Sequence, residues 1–418
     1  MFEIDKEAMV HACAMPRQYG SDFLVLREGK GVYLYDANGK KYIDFGSGIA
    51  VNALGHGRKD LAKIAYTQMR KIVHTSNLYA TAPALELAAR LAGSGAGLGQ
   101  GFAAVHFGNS GAEANEAALK YARLYAKRVK GEGNFKLLSF EHAFHGRTMG
   151  ALSVTPSAAY QEPYAPLLGG IQTSAFNDAE ALERTLDRTF AGLIVEVVQG
   201  EGGLMAMSAE FAAALNRLCA LHDIILIADE VQTGLGRTGT LFASEAAGLK
   251  PDVITLAKPL AGGLPLSAAL IPEKINAILK TGDHGTTFGG GPVTTAVAGR
   301  VWDIVSKPGF LAWVREKGEV LAEELAKIAQ THAAGACRTG EVRGKGLLRG
   351  LEIIAPEDKT ADVMKTILTR AREKGLLVLR SGKNIVRIAP PLIITSKEIQ
   401  AGCAILAAAI RESFSAPH

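Results

Sequence analysis

The sequence predicts an α/β protein: a mostly parallel sheet flanked by helices, followed by a smaller α+β unit. Three observations carry this. Apolar runs such as "GLIVEVVQ" and "DIILIADE" are continuous rather than alternating, as in strands buried on both faces. Helical stretches separate several of these runs, and strand–helix alternation marks a parallel sheet. Glycine is abundant, with 47 residues where average usage gives roughly 29. That excess suits tight turns at strand ends and backbone that approaches a phosphate.

In chain order, "GVYLYDANGKKYIDF" reads as two short strands around an Asn-Gly turn. "PALELAARLAG" has helical apolar spacing and ends on glycine. "AAVHFG" is a strand, and "SGAEANEAALKYARLYAKRVKG" is a long alanine-rich helix with Ser110 at its start and Gly131 after its end. "FKLLSF", "GLIVEVVQ", "DIILIADE" and "DVITLAK" are further strands, with the helix "SAEFAAALNRLCALH" among them. Beyond about residue 300, two long helical stretches flank "GEVRGKGLLRGLEII" and "KGLLVLRSGKNIVRIAPPLIIT", the pattern of an α+β unit. The expected divisions are an N-terminal segment 1–60 that joins the small domain, a large domain 61–300, and a C-terminal small domain 301–418.

Composition narrows the function. A chain of 418 residues, 48% hydrophobic and 21% charged, is long enough for a large core. The net charge of +5 comes without a run of five like charges or a basic, aromatic-interleaved helix, so nucleic-acid and membrane-surface binding are not expected. Cys13, Cys219, Cys337 and Cys403 lie far apart and form no C-x-x-C pair. Neither a metal site nor a disulfide framework is expected, and a reducing, cytoplasmic setting is. The first twenty residues carry Glu3, Asp5 and Glu7, unlike a secretory signal or transit peptide. "CAILAAAI" is too short to span a bilayer.

Ligand sites of open α/β sheets lie outside the carboxyl ends of the strands, and several strands here end on polar residues. Ser110, Gly111 and Ala112 sit where a strand turns into a helix. The first turn of that helix can hold a phosphate, although an ordinary serine cap gives the same pattern. "FHGRT" offers the ring of Phe144 for stacking and the fork of Arg147 for a carboxylate; a surface loop with a core phenylalanine reads the same. Asp229 ends an apolar strand, where a charge needs a partner. The "GLGRTG" after it is a weak phosphate-loop match without a Walker lysine. Lys258, at the end of "DVITLAK", is either a snorkelling lysine or an amine whose pKa burial lowers enough for Schiff-base chemistry. Together the four elements are the parts a pyridoxal phosphate enzyme needs: imine partner, pyridinium counter-ion, ring stack and phosphate cradle.

The motifs "NSGAEANEAALK", "AFHGRT", "QGEGG", "ADEVQTGLGRTG", "TLAK" and "DHGTTFGGGP", in this order, closely resemble those of the class III (ω-amino-acid) aminotransferases, over nearly the whole chain. The resemblance implies fold type I, a large domain with a mostly parallel seven-stranded sheet, pyridoxal 5'-phosphate as cofactor, and a homodimer with shared active sites. It implies that Lys258 holds the cofactor as a Schiff base and that Asp229 pairs with the ring nitrogen. Gln232 would contact the ring hydroxyl, Phe144 and Val231 would sandwich the ring, and Ser110, Gly111 and Ala112 would hold the phosphate. Thr287 would reach that phosphate from the other subunit, with Thr286 near the substrate. Arg147 would grip the carboxylate of the ω-amino substrate and Arg387 a glutamate carboxylate, with Glu201 masking Arg387 in alternate half-reactions.

The implied reaction is ping-pong transfer from N2-acetyl-L-ornithine to 2-oxoglutarate. Ornithine, succinylornithine and 4-aminobutyrate are the alternative donors, and an aminomutase or racemase is a further reaction class. A non-catalytic or nucleotide-binding α/β protein is the third. "GHGRKD", "FGGGP" and Pro259 depart from the commonest family pattern. None is a chemical group of the site, so they bear on donor preference.

Overall fold

The computed structural model describes residues 24–99, 101–331 and 333–415. Its largest sheet has seven strands in the order Ala104–Gly108, Ser267–Ile271, Val253–Leu256, Ile225–Asp229, Phe190–Glu196, Lys136–Phe140, Ile171–Ser174. The five expected strands are all present. Two others escaped the sequence reading: the polar edge strand Ile171–Ser174, and Ser267–Ile271, which runs antiparallel to both its neighbours.

Every residue of Phe190–Glu196 and of Ile225–Asp229 is buried. The reason is visible in the packing. Leu193, Val195, Leu226 and Ala228 join one apolar cluster with Phe211, Leu215 and Leu218 of the helix Ala209–His222. Ile194, Ile225 and Ile227 face the other way, onto Ala117, Ala118 and Ala122 of the helix Gly111–Tyr125. Full burial of each large side chain contributes about 1.5–3 kcal/mol. The alanines let this helix lie close to the sheet: a Cβ on Gly192 would stand 2.8 Å from that of Ala122.

Ser110 starts that helix with a capping box. Its hydroxyl accepts from the Glu113 N–H (3.2 Å), while Glu113 Oε2 accepts from the Ser110 N–H (3.1 Å), an arrangement worth about 1 kcal/mol.

The hairpin Tyr33–Asp36 and Lys41–Asp44 forms as expected. Lys41–Asp44 also pairs in parallel with Leu376–Leu377, which ties early and late residues into one sheet. A second core gathers Ile43, Phe45, Leu321, Leu325, Leu351, Val386, Ile388 and Leu406. It lies among the five-stranded sheet that includes Cys337–Lys345, Leu348–Ile354 and Ile385–Ile388 and the helices Pro308–Thr331 and Ser396–Phe414. Cys219, Cys337 and Cys403 are buried free thiols; Cys13 and the rest of the N-terminal stretch lie outside the described residues. Among the described residues no helix is long and apolar enough to cross a membrane.

Register sets up the site. Asp229 stands opposite Glu196 on one side and Thr255 on the other. One correction concerns Lys258. The strand stops at Leu256, and Lys258 lies two residues beyond it, in a turn closed by the Leu260 N–H to the Ala257 carbonyl at 2.6 Å. Pro259 fixes its own φ and biases Lys258 away from helical geometry, and the chain has left the sheet before the lysine.

Candidate active site

A cavity of about 430 Å³ opens at the carboxyl ends of the strands, within the usual range for small-molecule sites. Ser110, Gly111, Ala112, Phe144, Arg147, Asp229, Val231, Gln232 and Lys258 all line it. Residues from four separate stretches of sequence therefore converge on one cavity.

Asp229 lies at its base, 4% exposed. Its Oδ1 accepts from the Val231 N–H (3.0 Å), and its Oδ2 accepts from Asn115 Nδ2 (2.8 Å) and pairs with His145 Nδ1 (2.7 Å). An ionised Asp229 requires the proton on Nδ1. His145 Nε2 is buried and has no partner among the described residues. Asn115 is itself fixed, donating to the His145 carbonyl (2.7 Å) and accepting from Thr255 Oγ1 (2.7 Å).

At the helix end, Gly111 and Ala112 line the cavity as the first two residues of a fifteen-residue helix, the end at which the helix dipole favours an anion. Gly111 has to be glycine, because a Cβ would come within 2.7 Å of Val231 Cγ1. Phe144 and Val231 both line the cavity above Asp229. A flat, cationic ring bearing a phosphate fits this set: a helix N-terminus for the phosphate, apolar side chains for the faces, and a braced carboxylate for the ring nitrogen.

Lys258 makes no hydrogen bond or ion pair with another described residue. Burial lowers its pKa to about 8; Glu201, Asp229 and Glu196 work against that shift, while Arg387 adds to it. Glu196, the last residue of its strand, is buried. Burial raises its carboxyl to about 7, with Asp229 adding to the rise and His145 opposing it.

Two arginines differ in their surroundings. Arg147 is exposed and pairs with no carboxylate among the described residues; its guanidinium lies 3.5 Å from the ring centre of Tyr160 and 5.7 Å from that of Phe144. Arg387 is 3% exposed. It pairs with Glu201 and donates to the Gly200 carbonyl (3.0 Å) and to Gln232 Oε1 (3.5 Å). Thr286 and Thr287 do not reach this cavity within one chain. Thr287 instead lines a second cavity with His74, Tyr79 and Leu85, and Thr286 Oγ1 accepts from the Gly289 N–H at 3.2 Å.

The weakly matching "GLGRTG" takes no part in this cavity. Arg237 is 1% exposed and donates to the Leu347 (3.1 Å) and Pro390 (2.5 Å) carbonyls, outside the cavity. Asn115, His145 as the partner of Asp229, Glu196 and Tyr160 were missed from sequence. Among the described residues no group of three metal-ligating side chains forms.

The family model for aminotransferase class-III matches residues 14–410. The chain is 42% identical over 401 residues to the mitochondrial acetylornithine aminotransferase of Debaryomyces hansenii, covering 94% of this chain and 84% of that protein. It is 43% identical over 406 residues to the succinylornithine transaminase of Yersinia pseudotuberculosis, covering 95% and 94%. Among solved structures, the N-acetylornithine aminotransferase of Stenotrophomonas maltophilia superposes with a TM-score of 0.80 at 33% identity, covering 96% and 98%. A pyridoxal-phosphate-bound amine transaminase from an uncultivated Pseudomonas species gives 0.86 at 30%, covering 96% of each chain.

Proposed function

The chain belongs to the class III aminotransferases, pyridoxal-phosphate-dependent enzymes, and on that premise we propose that it moves the ω-amino group of N2-acetyl-L-ornithine to 2-oxoglutarate. The observation that carries the reading is the contrast between the two arginines. Arg147 is open to a carboxylate, whereas Arg387 is buried and already matched by Glu201. An ω-amine donor brings one carboxylate and leaves CH₂ where glutamate has its second. A site for both needs one cation always available and one that is masked in alternate half-reactions, because a bare buried charge is costly.

In this reading the Gly111 and Ala112 N–H groups and Ser110 hold the cofactor's phosphate, Phe144 and Val231 flank its ring, and Gln232 meets the ring hydroxyl. Asp229 holds the ring nitrogen protonated, oriented by Asn115 and His145. When bound, the cofactor supplies an electron sink next to the reacting carbon. Lys258, whose Nζ is half neutral near pH 8, takes the proton from the carbon beside the donor nitrogen and returns it later in the cycle.

The proposal includes a homodimer. Tyr66, Met69, Leu78, Tyr79, Leu85 and Phe288 are large exposed apolar residues, Leu78 as much as 87%. His74 and Phe288 are in ring contact, and Asn77 donates to the Thr286 and Gly289 carbonyls, so this surface adjoins Thr287. A patch of this kind suits a second copy, with Thr287 contributing to the partner's phosphate site. The buried free thiols support a reducing, cytoplasmic setting.

The test is a donor screen with 2-oxoglutarate, comparing kcat/KM for N-acetylornithine, ornithine, succinylornithine and 4-aminobutyrate. The highest value is expected with N-acetylornithine, and comparable turnover of 4-aminobutyrate refutes the assignment. Succinylornithine is the second reading, favoured by the 43% identical relative, and the same screen decides it.

A further inference from the structure

We propose that Glu196 is a positioning residue whose single carboxylate locks the loop carrying Phe144 to the loop carrying Glu201, so that ring plate and charge switch hold one fixed spacing. Glu196 ends the interior strand Phe190–Glu196 and is 5% exposed. Its Oε1 accepts from the Phe144 N–H at 2.9 Å, and its Oε2 accepts from the Gly200 N–H at 2.9 Å. The two oxygens therefore serve two different loops.

Each loop leads directly into the site. Phe144 is followed by His145, which touches Asp229, and by Arg147. Gly200 precedes Glu201, and the Gly200 carbonyl accepts from Arg387 Nη1 (3.0 Å) and Ser381 Oγ (2.8 Å). The peptide around Gly200 is thus held from both sides, by Glu196 at its N–H and by the C-terminal sheet at its carbonyl. A second strut runs parallel, from Gln199 Nε2 to the Glu141 carbonyl at 2.8 Å.

Chemistry dictates the residue type. Two inward-pointing N–H donors call for two acceptors on one side chain, and among the uncharged isosteres none offers them. Glutamine keeps one acceptor and turns an N–H₂ group onto the other donor, so one link becomes a repulsion. Aspartate keeps both acceptors but withdraws them by one methylene. Loss of one buried hydrogen bond is worth up to about tenfold in an equilibrium constant.

The kinetic part rests on the transaminase reading; the exchange part does not. In the full-length chain, with and without cofactor, hydrogen–deuterium exchange is followed in peptides covering residues 142–149 and 197–203. Glu196→Gln is expected to speed exchange in both segments together. In the holoenzyme it raises KM for 2-oxoglutarate about tenfold while kcat stays within about threefold, a split that general destabilisation does not give. Glu196→Asp is read the same way and answers the question if the glutamine variant is not recovered. Unchanged exchange in either segment overturns the proposal, as does an unchanged KM in an enzyme whose wild type uses 2-oxoglutarate. A wild type that does not use 2-oxoglutarate defeats the functional reading instead, and exchange then decides the role of Glu196.

Discussion

Replacing Asn115 with alanine tests the support of Asp229, because Asn115 bonds that carboxylate and ties it to the His145 carbonyl and Thr255. The side chain makes three hydrogen bonds: to Asp229 Oδ2 (2.8 Å), to the His145 carbonyl (2.7 Å) and from Thr255 Oγ1 (2.7 Å). The first is to a carboxylate and contributes about 1.5–3 kcal/mol. Truncation also strands the buried His145 carbonyl, at about 1–3 kcal/mol. The Thr255 hydroxyl rotates and loses less. The expected loss of stability is about 3–5 kcal/mol, a size reserved for breaking a buried network. Urea unfolding of the apo chain measures it. Asp229 keeps the Val231 N–H and His145 but loses one of its three partners and is held less firmly, so cofactor affinity should fall about tenfold in an absorbance titration. Asn115→Asp, similar in shape, sets a second carboxylate against Asp229 and should bind cofactor less well than the alanine variant. An alanine variant within 1 kcal/mol of wild type, with unchanged cofactor affinity, refutes the claim that Asn115 orients Asp229.

Three further outcomes follow from the same geometry. The pKa of Lys258 is lowered from 10.5 to about 8, so its neutral fraction rises through pH 8 and levels off above it. Site-specific acylation of Lys258 in the apo chain should follow that curve, whereas an ordinary lysine keeps gaining reactivity to beyond pH 10; Lys258→Ala should abolish turnover and the visible absorbance of bound cofactor. Glu201→Gln leaves Arg387 without its carboxylate. Because Glu201 is one-third exposed, solvent screening reduces the effect to about 1–2 kcal/mol, read as a roughly tenfold lower kcat/KM for the ω-amine donor with the glutamate half-reaction largely spared. Arg237→Met removes the donors to the Leu347 and Pro390 carbonyls but recovers the desolvation that lowers the arginine's pKa to about 9. A net loss of about 2 kcal/mol is expected by urea unfolding.

What the sequence revealed and what it hid divide along range of contact. Strands buried on both faces need unbroken apolar runs, so Phe190–Glu196 and Ile225–Asp229 were legible residue by residue. The Ser110 cap is equally local, as its partner Glu113 lies three residues on. Ser267–Ile271 was not legible, since "SAALI" is too short and small to announce an antiparallel insertion into a parallel sheet. Asn115 sits inside a helix where an asparagine reads as a solvated position; its partner Asp229 is 114 residues away. Glu196 did leave a signal, because a lone acid inside "GLIVEVV" implies a buried, partnered charge. Arg237 was hidden for the same reason: its partners, the Leu347 and Pro390 carbonyls, lie 110 and 153 residues on.

The same contrast in burial says which half of the charge pair must move. Arg387 has a side chain 4% exposed and Glu201 one 33% exposed. Arg387 is further anchored by the Gly200 carbonyl and approached by Gln232, and its strand, Ile385–Ile388, is buried at every position. Swinging Arg387 out would break backbone-anchored contacts and leave Glu201 without its cation. Swinging Glu201 out returns a carboxylate to water at little cost and leaves a fixed cation for the second carboxylate of the incoming acceptor. On the proposed reading, then, a switch with these burials works only with the glutamate as the mobile partner, and the arginine's position is as much a product of the sheet as of the pair.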